Sequence, residues 1–442
     1  MTYRANVPGV PAPFKRLFAS PKFASALALV IIGFAFSTTA LRAVIGPPGV
    51  VGILVGLVVL AGFSLTARWA GVDWHGLLPI SIMVFVGWCA LSVLWSSYPL
   101  HTLSASLYQL AFTFLAIYIA LARDTIQVVR ATGDVLRVLL GLSLALEVLS
   151  GLLLDVPFVF LGIQGNIDSF GPVQGIFGSR NVFGLVSLIA AVTFAVELRS
   201  RSVRRGLGIC SIALAVFGLL LTRSPVILVV ALFVGLAALA LIWLRSTPVA
   251  NRWVLQIALL GATVVAGIIA VAARARIIDQ LNAGSEFEAR ITLWGEIWRL
   301  ATLHPLEGWG WAGLWPADVT PYGWLSFVTG RPQTSGLNAF LDVYFQVGLV
   351  GLLSFLALVL LAFWRSWLLA SDKRSIVYVW SPLVLVTLLV TSAAESTVLV
   401  DFGWLLLLIC AVKAAQGKSW RSLLQPTPHR HPEERSAGAH NG

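Results

Sequence analysis

Arginines and carboxylates near the ends of long apolar stretches are the residues of this chain whose types and placement suit chemistry. Arginine stays charged and binds diphosphate oxygens with paired hydrogen bonds, whereas carboxylates suit sugar hydroxyls and acid–base catalysis. Together they favour one cavity that takes a lipid-borne phosphate with a sugar-like head. The candidates are Arg180, Arg223, Arg276, Arg290, Asp342 and Glu395.

A polar stripe opens the apolar stretch that begins at residue 337. Asn338, Asp342 and Gln346 recur every four residues, so they share one face of a helix. Polar side chains in a membrane helix face the protein interior or a water-filled cavity. We therefore expect this stripe to line the same cavity as the arginines.

Three charged residues along the chain are candidates for function, and two of them also allow a structural interpretation. Arg180 precedes an apolar stretch, where a helix N-terminus helps to hold an anion. Arg223 lies in a tight turn before Pro225 and either binds a ligand or interacts with phospholipid head groups. Glu147, inside an apolar stretch, is either functional or a polar contact between helices.

The composition defines the solvent around these residues. Hydrophobic residues make up 58% of the 442 residues, charged residues 11%, and mean hydropathy is +0.90, whereas soluble domains carry about 25% charged residues. The chain is therefore predicted to be an all-α, polytopic integral membrane protein, because helices satisfy their own backbone in lipid. About twelve stretches approach the roughly 20 residues that a span needs: 23–41, 50–67, 77–95, 107–122, 135–154, 182–198, 206–222, 225–244, 254–273, 337–363, 375–394 and 397–414.

The distribution of basic residues predicts the topology. Most of the 30 lysines and arginines fall on the side of the N-terminus, so both termini are expected in the cytoplasm. This division gives a cytoplasmic segment 1–22, a transmembrane domain 23–414 and a disordered cytoplasmic tail 415–442. The net charge of +11 then faces anionic membrane lipid, and no nucleic-acid partner is expected.

The stretch 274–336, between the ninth and tenth predicted spans, is a large extracytoplasmic loop. Ser285 and Glu288 have capping-box spacing, which predicts a helix that carries Arg290 beside an aromatic stripe. The stripe comprises Phe287, Ile291, Trp294, Trp298 and Ala301. His304 before Pro305 is a turn residue or a catalytic base, and the Gly-Trp segment after it suits a lid.

Neither a metal site nor a cofactor is expected from the sequence. Cys89, Cys210 and Cys410 all fall within predicted spans, so they suggest neither a disulfide framework nor a metal cluster.

Several short motifs resemble the O-antigen ligase and polymerase family of bacterial envelope glycan assembly. Their order and spacing about the large loop carry the resemblance, which runs from about the third predicted span to the twelfth. The motifs are TRS at 222–224, RITLW at 290–294, HPLEGWG at 304–310, NAFLD at 338–342 and QVGLVG at 346–351.

This resemblance implies a metal-independent membrane glycosyltransferase at the outer face of the cytoplasmic membrane. Its donor would be an undecaprenyl-diphosphate-linked glycan and its acceptor a glycan or lipid. Arg223 and Arg290 would bind the diphosphate, with Arg180, Arg276 and Asn338 as further substrate-binding candidates.

The resemblance leaves the catalytic base open. Ligases of the family usually carry a histidine immediately before the asparagine of span ten, where this chain has Leu337. The candidate bases are therefore Asp342, Glu395 and His304, and ligase and polymerase chemistry both stay open. The alternative function is a transporter or flippase of a lipid-linked glycan or other solute, since twelve spans also suit secondary carriers.

Overall fold

The computed structural model describes residues 12–68, 80–168, 170–272 and 284–417, and these ranges are predominantly helical. They contain no β-strand beyond one isolated bridge between Phe158 and Ile163. The α-helices of these ranges are α1 (Ala12–Ala19), α2 (Pro21–Ala67), α3 (Ile80–Leu91), α4 (Pro99–Ala122), α5 (Thr125–Val148), α6 (Arg180–Arg199), α7 (Arg205–Leu221), α8 (Pro225–Ser246), α9 (Arg252–Ala272), α10 (Gly284–Ala301), α11 (Tyr322–Thr329), α12 (Ala339–Asp372), α13 (Trp380–Thr391) and α14 (Asp401–Gly417).

Length and apolarity make this an all-α membrane protein. Seven of the described helices are long and apolar enough to cross a membrane, namely α2, α4, α5, α6, α8, α9 and α12. Every one of the twelve predicted stretches overlaps a helix. Helices α3 and α13 have only 12 residues each, and α7 and α14 have 17, so the number of crossings stays a prediction.

Helix α2 contains the first two predicted spans. The backbone leaves helical geometry at Gly46, where φ is 72°, directly before Pro47 and Pro48. The two halves of α2 run back on each other, because Arg68 near its end donates hydrogen bonds to the carbonyls of Ala19 and Ser20 near its start. The 47-residue element is therefore a helical hairpin that turns at Gly46, as the two predicted spans require.

Helix α10 begins at Gly284 and confirms a helix in the large loop, but its buried face differs from the predicted stripe. Leu293, Ile297 and Ala301 are at most 1% exposed, whereas Ile291 and Trp298 are 50% and 58% exposed. Of the apolar face that we expected against lipid or the spans, Ala301 packs inside the protein and Ile291 and Trp298 are exposed. Spacings of three and four residues fit two adjacent helix faces, and only packing selects the buried one.

The segment after α10 docks into a break in α12. The backbone leaves helical geometry at Val347 and Gly348, which frees backbone groups of the helix. Residues 305–310 satisfy them: Leu349 N donates to Pro305 O at 2.9 Å, and Gly310 N donates to Gln346 O at 2.7 Å. The HPLEGWG and QVGLVG motifs therefore form one structural unit joined through their backbones.

Some predictions lie outside the described residues. They concern Arg276, residues 1–11 of the N-terminal segment and residues 418–442 of the C-terminal tail. The side chain of Ser285 is likewise not described, so the predicted capping box stays a prediction.

Candidate active site

An ion pair between the large loop and the α13–α14 connection forms the centre of the candidate site. Arg290 on α10 lies 3.1 Å from Glu395 Oε1, and both residues are only 9% exposed. The Arg290 guanidinium also donates to the carbonyls of Ala394 and Leu337. The loop helix is thereby fixed to two segments that flank the bundle.

Two further elements join Glu395 through hydrogen bonds. Asn181 Nδ2 donates to Glu395 Oε1 at 2.7 Å, and Ser224 Oγ donates to Asn181 Oδ1 at 2.7 Å. A continuous chain therefore runs from Arg290 through Glu395 and Asn181 to Ser224. It joins Arg290 to Glu395, which are 105 positions apart along the chain, and Asn181 to Ser224, which are 43 positions apart.

This chain brings two predicted arginines to the same place. Arg180 is the first residue of α6 and precedes Asn181, while Arg223 precedes Ser224, whose side chain caps the N-terminus of α8. Arg223 is exposed and has a positive φ of 43°. Two helix N-termini, each with an adjacent arginine, therefore flank Glu395, and helix N-termini favour anions.

Asn338 positions the segment that carries Glu395. Its Oδ1 accepts hydrogen bonds from the backbone of Phe340 and Leu341, both at 3.1 Å, and so caps α12. Its Nδ2 donates to Ala393 O at 3.2 Å. Asn338 therefore belongs to the cluster, because Ala393, to which it donates, lies two positions before Glu395 in the sequence.

Leu337, at the position where the resemblance led us to expect a histidine, has an unusual backbone. Its φ of 47° is in the left-handed region, which costs a residue other than glycine about 1–3 kcal/mol. Its carbonyl accepts the hydrogen bond from Arg290 at 3.4 Å. Strain of this kind concentrates at functional sites, and Arg223 in the same cluster shares it.

Asp342 is fully buried and engaged by the protein. Trp315 Nε1 and Gln346 Nε2 donate to its Oδ1 at 2.8 and 2.7 Å, and Gly336 N donates to its Oδ2 at 3.1 Å. The carboxylate has no exposed surface. Of the predicted stripe, Asp342 and Gln346 lie in the interior, whereas Asn338 is half-buried, and at Asp342 the stripe binds the large loop.

His304 lies away from the cluster. It follows the end of α10 at Ala301, which is about 16 Å along the helix from Arg290 at 1.5 Å per residue. Its Nδ1 is 3.0 Å from Glu307 Oε1, and its ring packs edge-on against Trp309. The hydrogen bond from His304 lowers the pKa of the Glu307 carboxyl below its ordinary value.

Glu147 holds the loop that leads into α6. Its Oε1 accepts hydrogen bonds from the backbone of Gln174 and Gly175 at 3.3 and 2.9 Å, and it is 1% exposed. Of its two interpretations, the structure supports a polar contact that positions the approach to Arg180.

Two tyrosines that the sequence analysis missed lie under the Gly-Trp segment. Tyr98 and Tyr322 are 2.6 Å apart at their hydroxyls, and Tyr98 donates to Gly310 O at 2.9 Å. Burial raises the pKa of both phenols above the ordinary value, so both stay protonated. Tyr98 and Tyr322 are 224 positions apart, and no sequence pattern predicts a contact between residues so far apart along the chain.

A second charged group, which pairs two residues that no sequence pattern relates, lies at the start of α14. Arg42 donates to both oxygens of Asp401, at 3.0 and 2.9 Å, and to the Tyr108 hydroxyl at 2.7 Å. Asp401 has a positive φ of 49°. In the sequence, the feature that indicates these two residues is their placement near the ends of apolar stretches.

Metal-ligand groupings are absent from the described residues: no three or more His, Cys, Asp or Glu side chains there are arranged to hold a metal ion. The arginines and two helix N-termini form the positive part of the candidate site.

The fold and this cluster define a multi-pass, all-helical membrane protein with a polar site formed by the large loop and the helix ends. Residues 210–356 match the family model described as O-antigen ligase. The matched region runs from α7 into α12 and contains Arg223, Arg290 and Asn338, whereas Arg180 and Glu395 lie outside it. The predicted resemblance is confirmed over that region. No curated protein sequence matches the chain.

Proposed function

We propose that this protein is a membrane glycosyltransferase of the O-antigen ligase or polymerase type. It takes a glycan from an undecaprenyl-diphosphate donor and passes it to a glycan or lipid acceptor at the outer face of the cytoplasmic membrane. The observation that carries the proposal is the hydrogen-bonded chain from Arg290 through Glu395 and Asn181 to Ser224. It joins the matched family region to α6 and to the α13–α14 connection.

The positive groups of the cluster bind the donor. Arg223 is exposed at the start of α8, and Arg180 lies at the first turn of α6. A guanidinium presents five N–H donors, so Arg290 keeps its contacts to Glu395 and Ala394 and still offers donors to a diphosphate. These charges stabilise the leaving diphosphate as negative charge develops on it, without a metal ion. Arg276 is a further donor-binding candidate.

Glu395 is the carboxylate that we assign as general base. Both of its described hydrogen bonds go to Oε1, so we assign proton transfer to Oε2. The acceptor hydroxyl gives its proton to Glu395 while its oxygen attacks the anomeric carbon. The bond from that carbon to the diphosphate oxygen breaks, and undecaprenyl diphosphate leaves with the bonding electrons.

The other two candidate bases receive different roles. Asp342 has no exposure and three donors from the protein, so we assign it to positioning the large loop. His304 lies at the far end of α10 from Arg290, so we assign it to the docking of residues 305–310.

The proposal includes a topology. Twelve crossings, with both termini and the tail 415–442 in the cytoplasm, put the N-terminal ends of α6, α8 and α12, which contribute to the cluster, on the outside. The positive-inside distribution supports this orientation. The donor then reaches the cluster from the outer leaflet, beside the loop 274–336.

Substitution of Arg223 tests the proposal most directly, because Arg223 is exposed. We expect Arg223→Ala to abolish glycan assembly while the protein stays inserted and abundant. Arg299→Ala is the matched control, since Arg299 is an exposed loop arginine that pairs only with Glu296 among the described contacts. Full activity of Arg223→Ala would contradict the diphosphate assignment.

Deletion of the protein followed by analysis of lipid-linked sugars separates the reaction types. Accumulated single repeat units indicate a polymerase, and long unattached chains indicate a ligase. An unchanged glycan profile with altered solute uptake would overturn the proposal in favour of a transporter.

A further inference from the structure

The connection between α1 and α2 is held by side chains from two other segments of the chain. The carbonyl oxygens of residues 18 to 21, which follow one another, each accept one side-chain hydrogen bond. In chain order the donors are Ser64 at 3.1 Å, Arg68 at 3.1 and 2.6 Å, and Arg123 at 3.4 Å. Two guanidinium groups, from just after the ends of α2 and α4, therefore lie against the same short stretch of backbone.

The arginine pair, Arg68 and Arg123, lies far from the candidate active site. Helix α4 has 24 residues, which span about 36 Å. It begins after Tyr98, which donates to Gly310 of the large loop, and it ends before Arg123. Because a hydrocarbon core is roughly 30 Å thick, the pair lies at the other membrane surface, which is the cytoplasmic one in the topology proposed above.

The positive charge of the arginine pair is not neutralised by a salt bridge to any described carboxylate. The acceptors of both guanidiniums are neutral, namely backbone carbonyls and Ser25 Oγ, to which Arg123 donates at 2.9 Å. Burial, and then the charge of Arg68, lowers the pKa of Arg123 from its ordinary value, so the two cations act on each other. Asp124 opposes this shift, but its side chain is exposed. Two neighbouring cations without a bound carboxylate favour an anion beside them.

Hydrogen bonds to the α1–α2 connection do not by themselves account for two cations there. Elsewhere in the chain, Arg245 and Arg252 also donate to consecutive carbonyls, those of Ala370 and Ser371, at 2.7 and 2.8 Å. Those carbonyls lie at the C-terminus of α12, where the helix dipole is negative and favours cations. At the α1–α2 connection the C-terminus of α1 meets the N-terminus of α2, so the two dipoles oppose each other. The arginine pair therefore lacks the compensating negative potential that Arg245 and Arg252 have.

Donor groups of the arginine pair are available to an anion. Nη1 of Arg68 and Nε of Arg123 donate to no described residue. A guanidinium binds phosphate oxygens with paired hydrogen bonds. Lys22, exposed in the first turn of α2, and the N-terminus of that helix add positive potential at the same place. Phosphate is thus the ligand group that the pair favours.

Exposed apolar side chains adjoin the arginine pair. Leu17 and Phe63 are 52% and 45% exposed, and Phe18 stacks on Phe63 with ring centroids 5.6 Å apart. Phe18 directly precedes the carbonyls that the arginines bind. Apolar surface beside a phosphate-binding group fits a ligand that carries acyl chains, as a phospholipid does, rather than a free phosphate.

We propose that the arginine pair binds the phosphate of an anionic phospholipid and thereby fixes the α1–α2 connection to the membrane surface. The acyl chains lie along Leu17 and Phe63, and the headgroup lies towards Lys22. This inference does not depend on the glycosyltransferase function, because none of these residues belongs to the cluster around Glu395.

Native mass spectrometry of the full-length protein in detergent measures lipid binding directly. Phosphatidylglycerol is the anionic probe, phosphatidylcholine is the zwitterionic reference, and glycerol phosphate is the free phosphate ester. We expect phosphatidylglycerol to bind about tenfold more tightly than phosphatidylcholine, because only the former brings a net negative charge to the arginine pair. Glycerol phosphate should not displace it, since it lacks acyl chains.

Substitutions of both signs test which side chains carry the binding. Arg68→Gln and Arg123→Gln should each weaken phosphatidylglycerol binding about tenfold, because each loses a charge-assisted contact. Arg199→Gln is the matched control, since it removes an exposed arginine at the end of α6 and should leave binding unchanged. Asp124→Asn should strengthen binding, because it removes the carboxylate that acts on Arg123, and asparagine is an equally good N-cap for α5. A gain in affinity of this kind does not arise from misfolding.

Four results would overturn the proposal. They are equal binding of the two lipids, unchanged binding in both arginine variants, weaker binding in Asp124→Asn, and displacement of phosphatidylglycerol by equimolar glycerol phosphate. The last result would mean that the arginine pair takes a free phosphate ester rather than a lipid.

Melting temperatures in nanodiscs separate a lipid site from a purely structural role. Arg123 donates only to exposed residues, Pro21 and Ser25, so Arg123→Gln should melt like the wild type in phosphatidylcholine nanodiscs. Phosphatidylglycerol should raise the melting temperature of the wild type and not that of the variant, because a ligand stabilises only the protein that binds it. An equal fall for the variant in both lipids would assign Arg123 to the fold alone and overturn the proposal.

Discussion

The indole Nε1 of Trp315 donates a 2.8 Å hydrogen bond to Oδ1 of Asp342, a carboxylate with no exposed surface. This contact ties the Gly-Trp segment of the large loop to the first turn of α12. Gly336 N of the loop and Gln346 Nε2 of α12 donate to the same carboxylate, so one side chain connects the loop to the helix at two points and is held by its own helix at a third. Asp342 is one of the three candidate bases, and these contacts are the reason that we assign it to organising the site.

Substitution of Asp342 should therefore reduce stability before it affects chemistry. Asp342→Ala leaves three buried donors without an acceptor, each at about 1–3 kcal/mol, so we expect a loss of at least about 3 kcal/mol in the free energy of unfolding. Thermal unfolding of the purified protein measures it. Asp318→Ala, at an exposed loop carboxylate, is the control. Normal stability with abolished transfer in Asp342→Asn would instead support a direct catalytic role.

Substitution of Glu395 should have the opposite effect to that of Asp342, because it should reduce transfer activity rather than stability. Glu395→Gln keeps an oxygen that accepts from Asn181 and Arg290 but cannot take a proton. We expect transfer to fall by about 10²–10⁴-fold, the usual contribution of a general base, with donor binding retained. Steady-state assay and donor binding on the same sample measure both quantities. Near-normal transfer would move the base to another residue.

Arg290→Met is the matching variant at the other end of that ion pair. It leaves the Glu395 carboxylate buried and unpaired, which costs about 3–5 kcal/mol. We expect lower abundance and a lower melting temperature, and partial recovery in the double variant with Glu395→Leu. A double-mutant cycle on the melting data gives the coupling, and simple additivity would contradict the pairing.

The close approach of residues 305–310 to α12 depends on Gly348. A Cβ at this position would lie 2.1 Å from Leu306 O, and φ is 67°. Gly348→Ala should therefore displace the docked segment and cause a strong loss of stability and activity, since backbone cannot move aside cheaply. Gly235→Ala in α8 is the control, because a Cβ there meets nothing within 4 Å. A Gly348→Ala protein that melts like the wild type would refute the docking.

His304 should be dispensable for transfer. Its contacts are to Glu307 and Trp309, and α10 separates it from Arg290. We expect His304→Gln to keep most transfer activity, measured by the amount of assembled glycan. Abolished transfer at normal protein abundance would restore His304 as a candidate base.

The His304–Glu307 pair also predicts a direction of pH dependence. Because the folded pKa of Glu307 is lowered, the pair stabilises the docked segment above the ordinary glutamate pKa of about 4.3. That contribution is lost as pH falls through the folded pKa, and it is small because both side chains are more than a third exposed. Glu307→Gln should remove it, as melting curves near pH 4 and pH 7 would show.

Composition and periodicity were sufficient for the class of protein, the helical stretches and most candidate arginines. These properties are local, because a span is recognised from about 20 consecutive apolar residues and needs no knowledge of its neighbours. The family resemblance was also local, since residues 210–356 carry its motifs. Arg223, Arg290 and Asn338 could therefore be named without coordinates.

The partners of these residues depend on tertiary structure. Glu395 meets Arg290 across 105 positions, Asp401 meets Arg42 across 359, and Tyr98 meets Tyr322 across 224. Hydrogen bonds require separations near 3 Å, and helix packing alone brings such distant residues together. The contacts of Asp342 and His304 and the buried face of α10 followed from that packing, because each depends on which atoms a side chain meets.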